Sequence, residues 1–330
     1  MRRVRAERER IEHELLATEA TKADESKGRA AEEEPDEFRT AFERDRDRIM
    51  HTKVFRRLKH KTQVFLNPDG DHFVTRMTHT IHVTQVGRAM AVALGLNESL
   101  TEAICLAHDV GHSAFGHIGE EALSPFVEGK WLHSEQGVRV LSLLEPQNLT
   151  HEVLDGVRAH SWKISPPPET PEGWLCRYAD RIAYLTHDVA DALRAGVLEY
   201  HDIPTRTLVT FGPASRDWIS SMVNSVIETS HKSGTVQMDP EHLEVMDELR
   251  DFMFERVYLR PETDAQKMQA ITIIQDLVNY YSEHPQEVPD SFTLPTADPL
   301  DRAIDYVAGM TDRYALSSHD RLFRPTLLDQ

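Results

Sequence analysis

A helix that ends in a cluster of imidazole and carboxylate groups constrains this chain most strongly. Ser99 is the expected N-cap, and Glu102 three residues later completes a capping box. Apolar residues then recur at three- and four-residue spacing, and Gly111 is placed to end the helix. The sequence therefore predicts a rigid helix that delivers His108 and Asp109 to one point, an arrangement suited to holding a divalent cation.

An adjacent His-Asp pair has a second interpretation, in which a core histidine lies beside a solvated aspartate. Further ligands decide between the two, and His112 and His117 follow within nine residues of His108. His79 lies four residues before Val83 at the start of another predicted helix, and it shares the buried face of that helix. We therefore expect His79 to be either a core residue or a ligand that points into a polar cavity.

A third predicted helix, over residues 175–195, carries acidic groups on one face. The polar side chains at helical spacing are Asp180, Tyr184, Asp188 and Asp191. Carboxylates on one face repel each other unless solvent, a cation or a ligand offsets them. The apolar residues around them predict that the helix is largely buried. A tyrosine within the acidic stripe favours a cleft over an open, solvated face.

The composition is that of a globular protein with a sizeable core. The chain has 330 residues, 40% of them hydrophobic, and a net charge of −18. This charge argues against a general nucleic-acid-binding surface. The two cysteines, Cys105 and Cys176, lie in apolar helical contexts and are expected to be buried free thiols in a reducing cytosol. The charged start and the short apolar run over residues 89–96 predict neither a secretory signal nor a membrane span.

The predicted fold class is mainly α, with one modest β signal. Residues 1–37 form a charged, partly flexible segment, residues 38–200 a helical core, and residues 201–330 a helical C-terminal region packed on that core. A turn at 67–71 predicts a small β-hairpin near residues 63–75. The basic stretch 53–61 suits a phosphate-bearing ligand, although a solvated helix face is the alternative.

Several motifs in order resemble one enzyme family. They are Asp45 to Ile49, Phe55 to Phe65, Arg76-x-x-His79, His108-Asp109 to Glu120, His133, and Asp180 in Tyr178-Ala179-Asp180-Arg181. Together they resemble the HD-domain superfamily, and more narrowly its deoxynucleoside triphosphate (dNTP) triphosphohydrolases, the dGTPase-like group. The resemblance covers roughly residues 45–193 and implies an HD-domain helical bundle over the predicted core.

The resemblance implies a metal-dependent hydrolase that converts dNTPs to deoxynucleosides and inorganic triphosphate. The implied ligands of one divalent ion are His79, His108, Asp109 and Asp180. Two imidazoles and two carboxylates suit Mn, Mg, Fe, Ni or Zn, so the identity of the metal stays open. Such an ion would activate water and polarise the α-phosphoryl group.

The resemblance also assigns the remaining site residues. The implied catalytic residues are His133 as the general acid, His112 and His117 beside the phosphates, and Glu120 as the group that orients a histidine. The implied substrate-binding residues are Arg57, Gln63, Arg76, Arg181, Tyr184 and Asp188. In this assignment Arg76 and Arg181 pair with phosphate, Tyr184 excludes a 2′-hydroxyl, and Gln63 and Asp188 bind the 3′-hydroxyl.

Two departures from the family pattern bear on substrate choice, and two other functions stay open. Ser113-Ala114 stands where bacterial relatives usually carry two prolines, and Arg181 stands where the group often has Asp or Lys. The alternative function is an HD-domain nucleotidase or phosphodiesterase that acts on nucleoside monophosphates or nucleic-acid ends. A regulator that senses nucleotides or binds single-stranded DNA, with a vestigial site, is the third hypothesis.

The family analogy extends to partners. It predicts a homo-oligomer, often a hexamer in the family, with a dNTP substrate; the sequence itself predicts a cytoplasmic protein with no membrane partner. A dNTP activator and single-stranded DNA are the further ligands that the analogy suggests.

Overall fold

The computed structural model describes residues 3–63, 73–214, 216–260, 264–292, 294 and 297–324. Within these residues the chain is helical, and its β structure consists of isolated bridges. The helices are α1 (Arg5–Leu15), α2 (Ala41–His51), α3 (Lys53–Arg57), α4 (Arg76–Leu94), α5 (Glu98–Ala107), α6 (His117–Leu123), α7 (His133–Arg139), α8 (His151–Ala159), α9 (Pro171–Arg194), α10 (Thr205–Phe211), α11 (Arg216–Ser233), α12 (Pro240–Met253), α13 (Asp264–Glu283), α14 (Pro299–Ala308) and α15 (Asp312–Phe323).

The predicted mainly α class is confirmed, and the hairpin near residues 63–75 is not supported. Most of that hairpin, residues 64–72, lies outside the described residues. Its flanks, Thr62 and Thr75, form an isolated antiparallel bridge. Two π-helical segments, Val140–Leu144 and Phe254–Tyr258, continue α7 and α12.

The chain divides into two compact units, and each is built from separate stretches of sequence. The first unit comprises Met1–His51, Thr78–His108 and Gln147–Arg260. The second comprises Thr52–Met77, Asp109–Pro146 and Pro261–Gln330.

The core of the first unit is formed around α5, which contacts α2, α8 and α9. Leu100 and Ile104 of α5 are fully buried, as are Val153 of α8 and Ile182 of α9. Gly156 permits the close approach of α8 to α5, because a Cβ there would lie 2.5 Å from Ile104 Cδ1. Burial of each large aliphatic side chain stabilises the unit by about 1.5–3 kcal/mol.

Helix α5 begins differently from the prediction. Asn97, not Ser99, is the N-cap, and its side-chain oxygen accepts hydrogen bonds from the N–H groups of Ser99 and Leu100 at 3.1 Å. The prediction of Ser99 with a capping box is therefore wrong. Asparagine competes well with serine for this position, and here it lies directly before the helical residues.

The N-terminal segment is bonded into the first unit. The buried carboxylate of Glu172 accepts hydrogen bonds from Thr21 N at 3.1 Å, Thr21 Oγ1 at 2.8 Å and Asn97 N at 2.9 Å. Arg29 forms an ion pair with the fully buried Asp45. These charge-assisted contacts help to hold a highly charged segment on the unit.

The second unit has its own apolar core around α13, which contacts α6, α14 and α15. Ile274, Leu277 and Val278 of α13 are fully buried with Leu123 of α6 and Val307 of α14. Helical periodicity runs through residues 299–315 and predicts one helix there. This prediction is wrong, because Gly309 ends α14 and α15 begins at Asp312.

Candidate active site

Three donor groups in the first unit converge on one point. His79 comes from the first turn of α4, His108 directly follows α5, and Asp180 lies in the middle of α9. His79 Nε2 lies 3.0 Å and His108 Nε2 lies 3.7 Å from Asp180 Oδ1. Their donor atoms all lie within 4.8 Å of one another, as ligands of one metal ion require.

The surroundings of His108 present its Nε2 as a ligand atom. Its Nδ1 lies 2.7 Å from the carbonyl oxygen of Cys105, so Nδ1 carries the proton and donates it. The Nε2 lone pair is therefore available on the side of Asp180. A ring fixed in this way by a carbonyl is the usual support of a metal-binding histidine.

Asp180 is held as a carboxylate. Burial by itself would raise its pKa, but the hydrogen bond with His79 and the imidazoles of His108 and His160 lower the pKa below its ordinary value. Two imidazoles and one carboxylate suit a divalent transition metal or zinc, so the residues present fit such an ion.

Asp109, the next residue after His108 in the chain, belongs to the second unit. Within that unit Arg76 Nη1 donates to Asp109 Oδ2 at 2.9 Å, and His112 Nε2 lies 3.3 Å from Oδ1. Arg76 is 2% exposed, and its guanidinium packs directly against residue 116, a glycine. Gly116 has φ +58°, and a Cβ there would lie 2.5 Å from Arg76 Nη2.

Three histidines of the second unit meet around one carboxylate. Glu120 Oε1 lies 2.6 Å from His133 Nδ1, and Glu120 Oε2 lies 2.6 Å from His117 Nδ1. The His112 ring stacks on the His133 ring with 3.7 Å between centroids. The exposed fraction of the His117 side chain is 74%, whereas His112 and His133 are buried. The four residues suit proton transfer, and their donor atoms are also close enough to hold a cation.

Electrostatics separate the roles of these groups. Burial opposes ionisation of Glu120, but His133 and the hydrogen bond from His117 lower its pKa far below the ordinary value, so it is a carboxylate. Burial, with the positive charge of Arg76, lowers the pKa of His112 well below its ordinary value, so its imidazole is neutral. A carboxylate that fixes one imidazole beside a second, neutral one is an arrangement for directed proton transfer.

The sequence is similar to known phosphohydrolases over almost its whole length. Family models described as "HD domain" and "Phosphohydrolase-associated domain" match residues 76–185 and 236–321. A deoxyguanosinetriphosphate triphosphohydrolase-like protein of Caldanaerobacter subterraneus subsp. tengcongensis is 44% identical, over 98% of this chain and 97% of the relative. A protein of the same description from Clostridium perfringens is 40% identical, over 98% of each.

The chain belongs to the deoxyguanosinetriphosphate triphosphohydrolase-like family. It is an HD-superfamily phosphohydrolase, as the motifs predicted. A solved structure of a hypothetical protein from Aquifex aeolicus is 20% identical, with a TM-score of 0.48 over 85% of this chain and 71% of that chain. No described helix is both long enough and apolar enough to cross a bilayer.

The predicted substrate-binding residues on α9 lie in the first unit. Arg181 forms an ion pair with Asp247 and lies over the Trp162 ring at 5.3 Å. Asp188 Oδ2 accepts a hydrogen bond from Tyr258 Oη at 2.6 Å. Tyr258 closes the π-helical segment that continues α12, and sequence periodicity gave no sign of its contact with Asp188. π-Helical turns are frequent at functional sites, which makes Tyr258 a further candidate residue of this HD phosphohydrolase.

The other three predicted substrate ligands, Arg57, Gln63 and Arg76, lie in the second unit. Gln63 is the last described residue before the gap, and its Oε1 is buried without a hydrogen-bond partner among the described residues. Arg57 lies over the Phe292 ring, 5.8 Å from its centroid, and lines a cavity.

His160 is a buried histidine that the sequence analysis missed. Its ring lies 5.2 Å from that of His108, and its Nδ1 donates to the carbonyl oxygen of Val157 at 2.7 Å. His108 makes the same contact with the residue three positions before it. The sequence did contain a signal, since both histidines follow an alanine at the end of an apolar helix, in Leu106-Ala107-His108 and Arg158-Ala159-His160.

Proposed function

We propose that this phosphohydrolase cleaves dNTPs to deoxynucleosides and inorganic triphosphate. The observation that carries the proposal is the convergence of His79, His108 and Asp180, with donor atoms within 4.8 Å, in a member of a dGTP triphosphohydrolase-like family. These three residues would hold one divalent ion, Mn, Mg, Fe, Ni or Zn. Asp109 would be the fourth ligand, on the basis of the His-Asp motif and its place next to His108 in the chain.

The reaction needs an attacking water, positively charged residues that bind the phosphates, and an acid that protonates the leaving group. When bound, the divalent ion supplies Lewis-acid chemistry to the phosphoryl group. Water adds at the α-phosphorus and the bond to the 5′-oxygen of the nucleoside breaks, so triphosphate leaves intact. The departing oxygen takes up a proton.

The proposed donor of that proton is His133. Its Nδ1 is held by Glu120 at 2.6 Å, and Nε2 is therefore the atom left to face a substrate. The lowered pKa of Glu120 keeps this partner ionised. His112, kept neutral by burial, and His117, the exposed second partner of Glu120, would lie beside the phosphates.

The proposed phosphate-binding and sugar-binding residues differ in how they are engaged. Arg76 and Arg181 each have a carboxylate partner, Asp109 and Asp247, so phosphate would compete for guanidinium groups that are already oriented. We propose that Tyr184 packs on the sugar, and that Asp188 and Gln63 bind the 3′-hydroxyl. The assignment of Arg57 to substrate stays a sequence-based prediction.

The test identifies the products. Protein loaded with Mn²⁺ is incubated with each dNTP and each NTP, and the anions are separated by ion chromatography. Triphosphate formed from dNTPs, and lost in His108→Ala but kept in His151→Ala, supports the proposal; His151 is a matched histidine on the exposed surface of α8. Orthophosphate released from nucleoside monophosphates alone would establish the nucleotidase alternative. Absence of any hydrolysis would favour the regulator.

Family analogy alone supports the proposed partners. We infer a cytoplasmic homo-oligomer, a hexamer by analogy, with a dNTP activator and single-stranded DNA as further ligands. Light scattering with and without dNTP tests the assembly, and an unchanged monomer mass would contradict it.

A further inference from the structure

A cavity of 80 Å³ lies in the second unit, lined by residues of α3, α7 and α14. Its wall includes the charged or polar side chains of Lys53, Arg57, Gln136, Glu145 and Asp305. Because one water occupies about 30 Å³ in the liquid, the cavity has room for roughly two or three waters or one small polyatomic ion.

The acidic groups in this wall are already satisfied. Asp305 accepts hydrogen bonds from Arg139 Nη2 at 2.7 Å and from Gln136 Nε2 at 3.0 Å. Glu145 accepts hydrogen bonds from two backbone N–H groups at the start of α3, at 2.7 and 3.2 Å. Neither carboxylate would therefore repel an anion as strongly as an unpaired one, nor attract a cation into the cavity.

Arg57 is a cation of this wall that forms no close ion pair among the described residues, and the charge of Glu145 acts on it at longer range. Its guanidinium is half-buried over the Phe292 ring, and within the part of the chain that the structure describes no carboxylate lies within 4.0 Å of it. Burial lowers the pKa of Arg57. A partly desolvated guanidinium has five N–H donors to satisfy, and oxyanions match its planar geometry. Lys53 adds a second positive charge at the same cavity.

We propose that this cavity binds one free orthophosphate ion, with Arg57 as its principal ligand. The site does not include Arg76 or Arg181, the phosphate-binding residues proposed for the substrate, and it gives Arg57 a role other than the substrate-binding one that the family resemblance implies. Its existence does not depend on the proposed function. The wall also includes Val110 and Gly111, the two residues that connect Asp109 to His112. An ion here therefore abuts the backbone that carries proposed active-site groups, and it is suited to report the level of free phosphate to them.

The test measures binding directly. Metal-free full-length protein is titrated with sodium phosphate by calorimetry at an ionic strength held constant with sodium chloride. The variant is Arg57→Met, which keeps the apolar stem on Phe292, and the matched control is Arg56→Met at the neighbouring exposed arginine. Saturable uptake of one ion, weakened about tenfold or more in Arg57→Met and unchanged in Arg56→Met, is expected because a charge-assisted pair is lost.

If circular dichroism shows that Arg57→Met is unfolded, a second variant, Gly309→Ala, tests the proposal instead. Gly309→Ala leaves both charges in place, but its Cβ would lie 3.1 Å from Arg57 Nη1 and 3.2 Å from Phe292 Cε1. It narrows the cavity and should weaken uptake severalfold. Three results would each overturn the proposal: no saturable uptake, full uptake in the Arg57 or Gly309 variant, or Arg57-dependent binding of nucleotides without uptake of orthophosphate.

Discussion

Lys61 makes the stability of the second unit depend on pH in a predictable direction. Its side chain is 1% exposed, and its Nζ donates hydrogen bonds to the carbonyl oxygens of His112 and Ala308. Burial, with the positive charge of Arg57, lowers its pKa to about 7. The ordinary lysine value is 10.5, and the difference corresponds to about 5 kcal/mol of cost for the charged form in the folded protein.

The sign follows from proton binding. Between pH 7 and 10.5 the unfolded chain binds a proton at this lysine that the folded chain has released, so the free energy of unfolding rises with pH. From pH 7 to pH 9 the free energy of unfolding rises by about 2 kcal/mol, and below about pH 6 the effect of Lys61 on this free energy is constant. Counted from acid pH, the stability gained from the release of this proton is complete above pH 10.5 and is lost as the pH falls through 7.

The variant Lys61→Met removes this titration, and loss of the two hydrogen bonds adds a constant offset. Urea unfolding at half-unit pH intervals should therefore give curves for wild type and Lys61→Met that diverge by about 2 kcal/mol between pH 7 and 9. Lys59→Met, at an exposed neighbouring lysine, should run parallel to wild type. Parallel curves for wild type and Lys61→Met would refute the assignment of a neutral buried amine.

Three further outcomes follow from the geometry. Gly111→Ala should destabilise the protein by about 3 kcal/mol or more in thermal unfolding, because its Cβ would lie 2.0 Å from a backbone oxygen. The control Gly129→Ala has nothing within 4 Å of its Cβ and should lose only about 1 kcal/mol, because of its positive φ. Equal losses of stability in the two variants would contradict this prediction. Glu120→Gln should lower the turnover number about 100-fold at unchanged metal content, and a rate within threefold of wild type would remove Glu120 from the proton-transfer path. Tyr258→Phe removes the 2.6 Å hydrogen bond that holds the Asp188 carboxylate, the proposed ligand of the 3′-hydroxyl. The variant should therefore raise KM for dNTPs more than it lowers kcat. Unchanged kinetics would show that the Tyr258–Asp188 contact is purely structural.

The sequence was informative where the chemistry is local. Apolar spacing predicted α4, α5 and α9, because burial of one helix face depends on a repeat that is visible in the chain. The convergence of His79, His108 and Asp180 followed from a motif order, and each of these residues is held by a predicted helix. The free, buried state of Cys105 and Cys176 was also predicted and is confirmed.

The missed features depend on tertiary contacts. Periodicity could not show that α14 ends at Gly309, because the apolar pattern continues across the break. The environment of Arg57 is set by Phe292, far away in sequence, and no local pattern connects the two. His160 could be recognised only by comparing the ends of two helices. Tyr258 could be recognised only from the structure, in which a π-helical turn brings it to Asp188.

The central claim is that His79, His108 and Asp180 hold one divalent cation. The direct test is the metal content per chain of protein purified under chelator-free conditions, measured by plasma mass spectrometry for wild type, Asp180→Asn and Asp191→Asn. Asp191 is a buried aspartate on the same helix, paired with Arg194, and serves as the control. The account predicts about one tightly bound divalent ion per chain in wild type and in Asp191→Asn. In Asp180→Asn the affinity for the ion should fall by at least about tenfold, so that the metal content per chain is clearly lower. Full metal content in folded Asp180→Asn would contradict it.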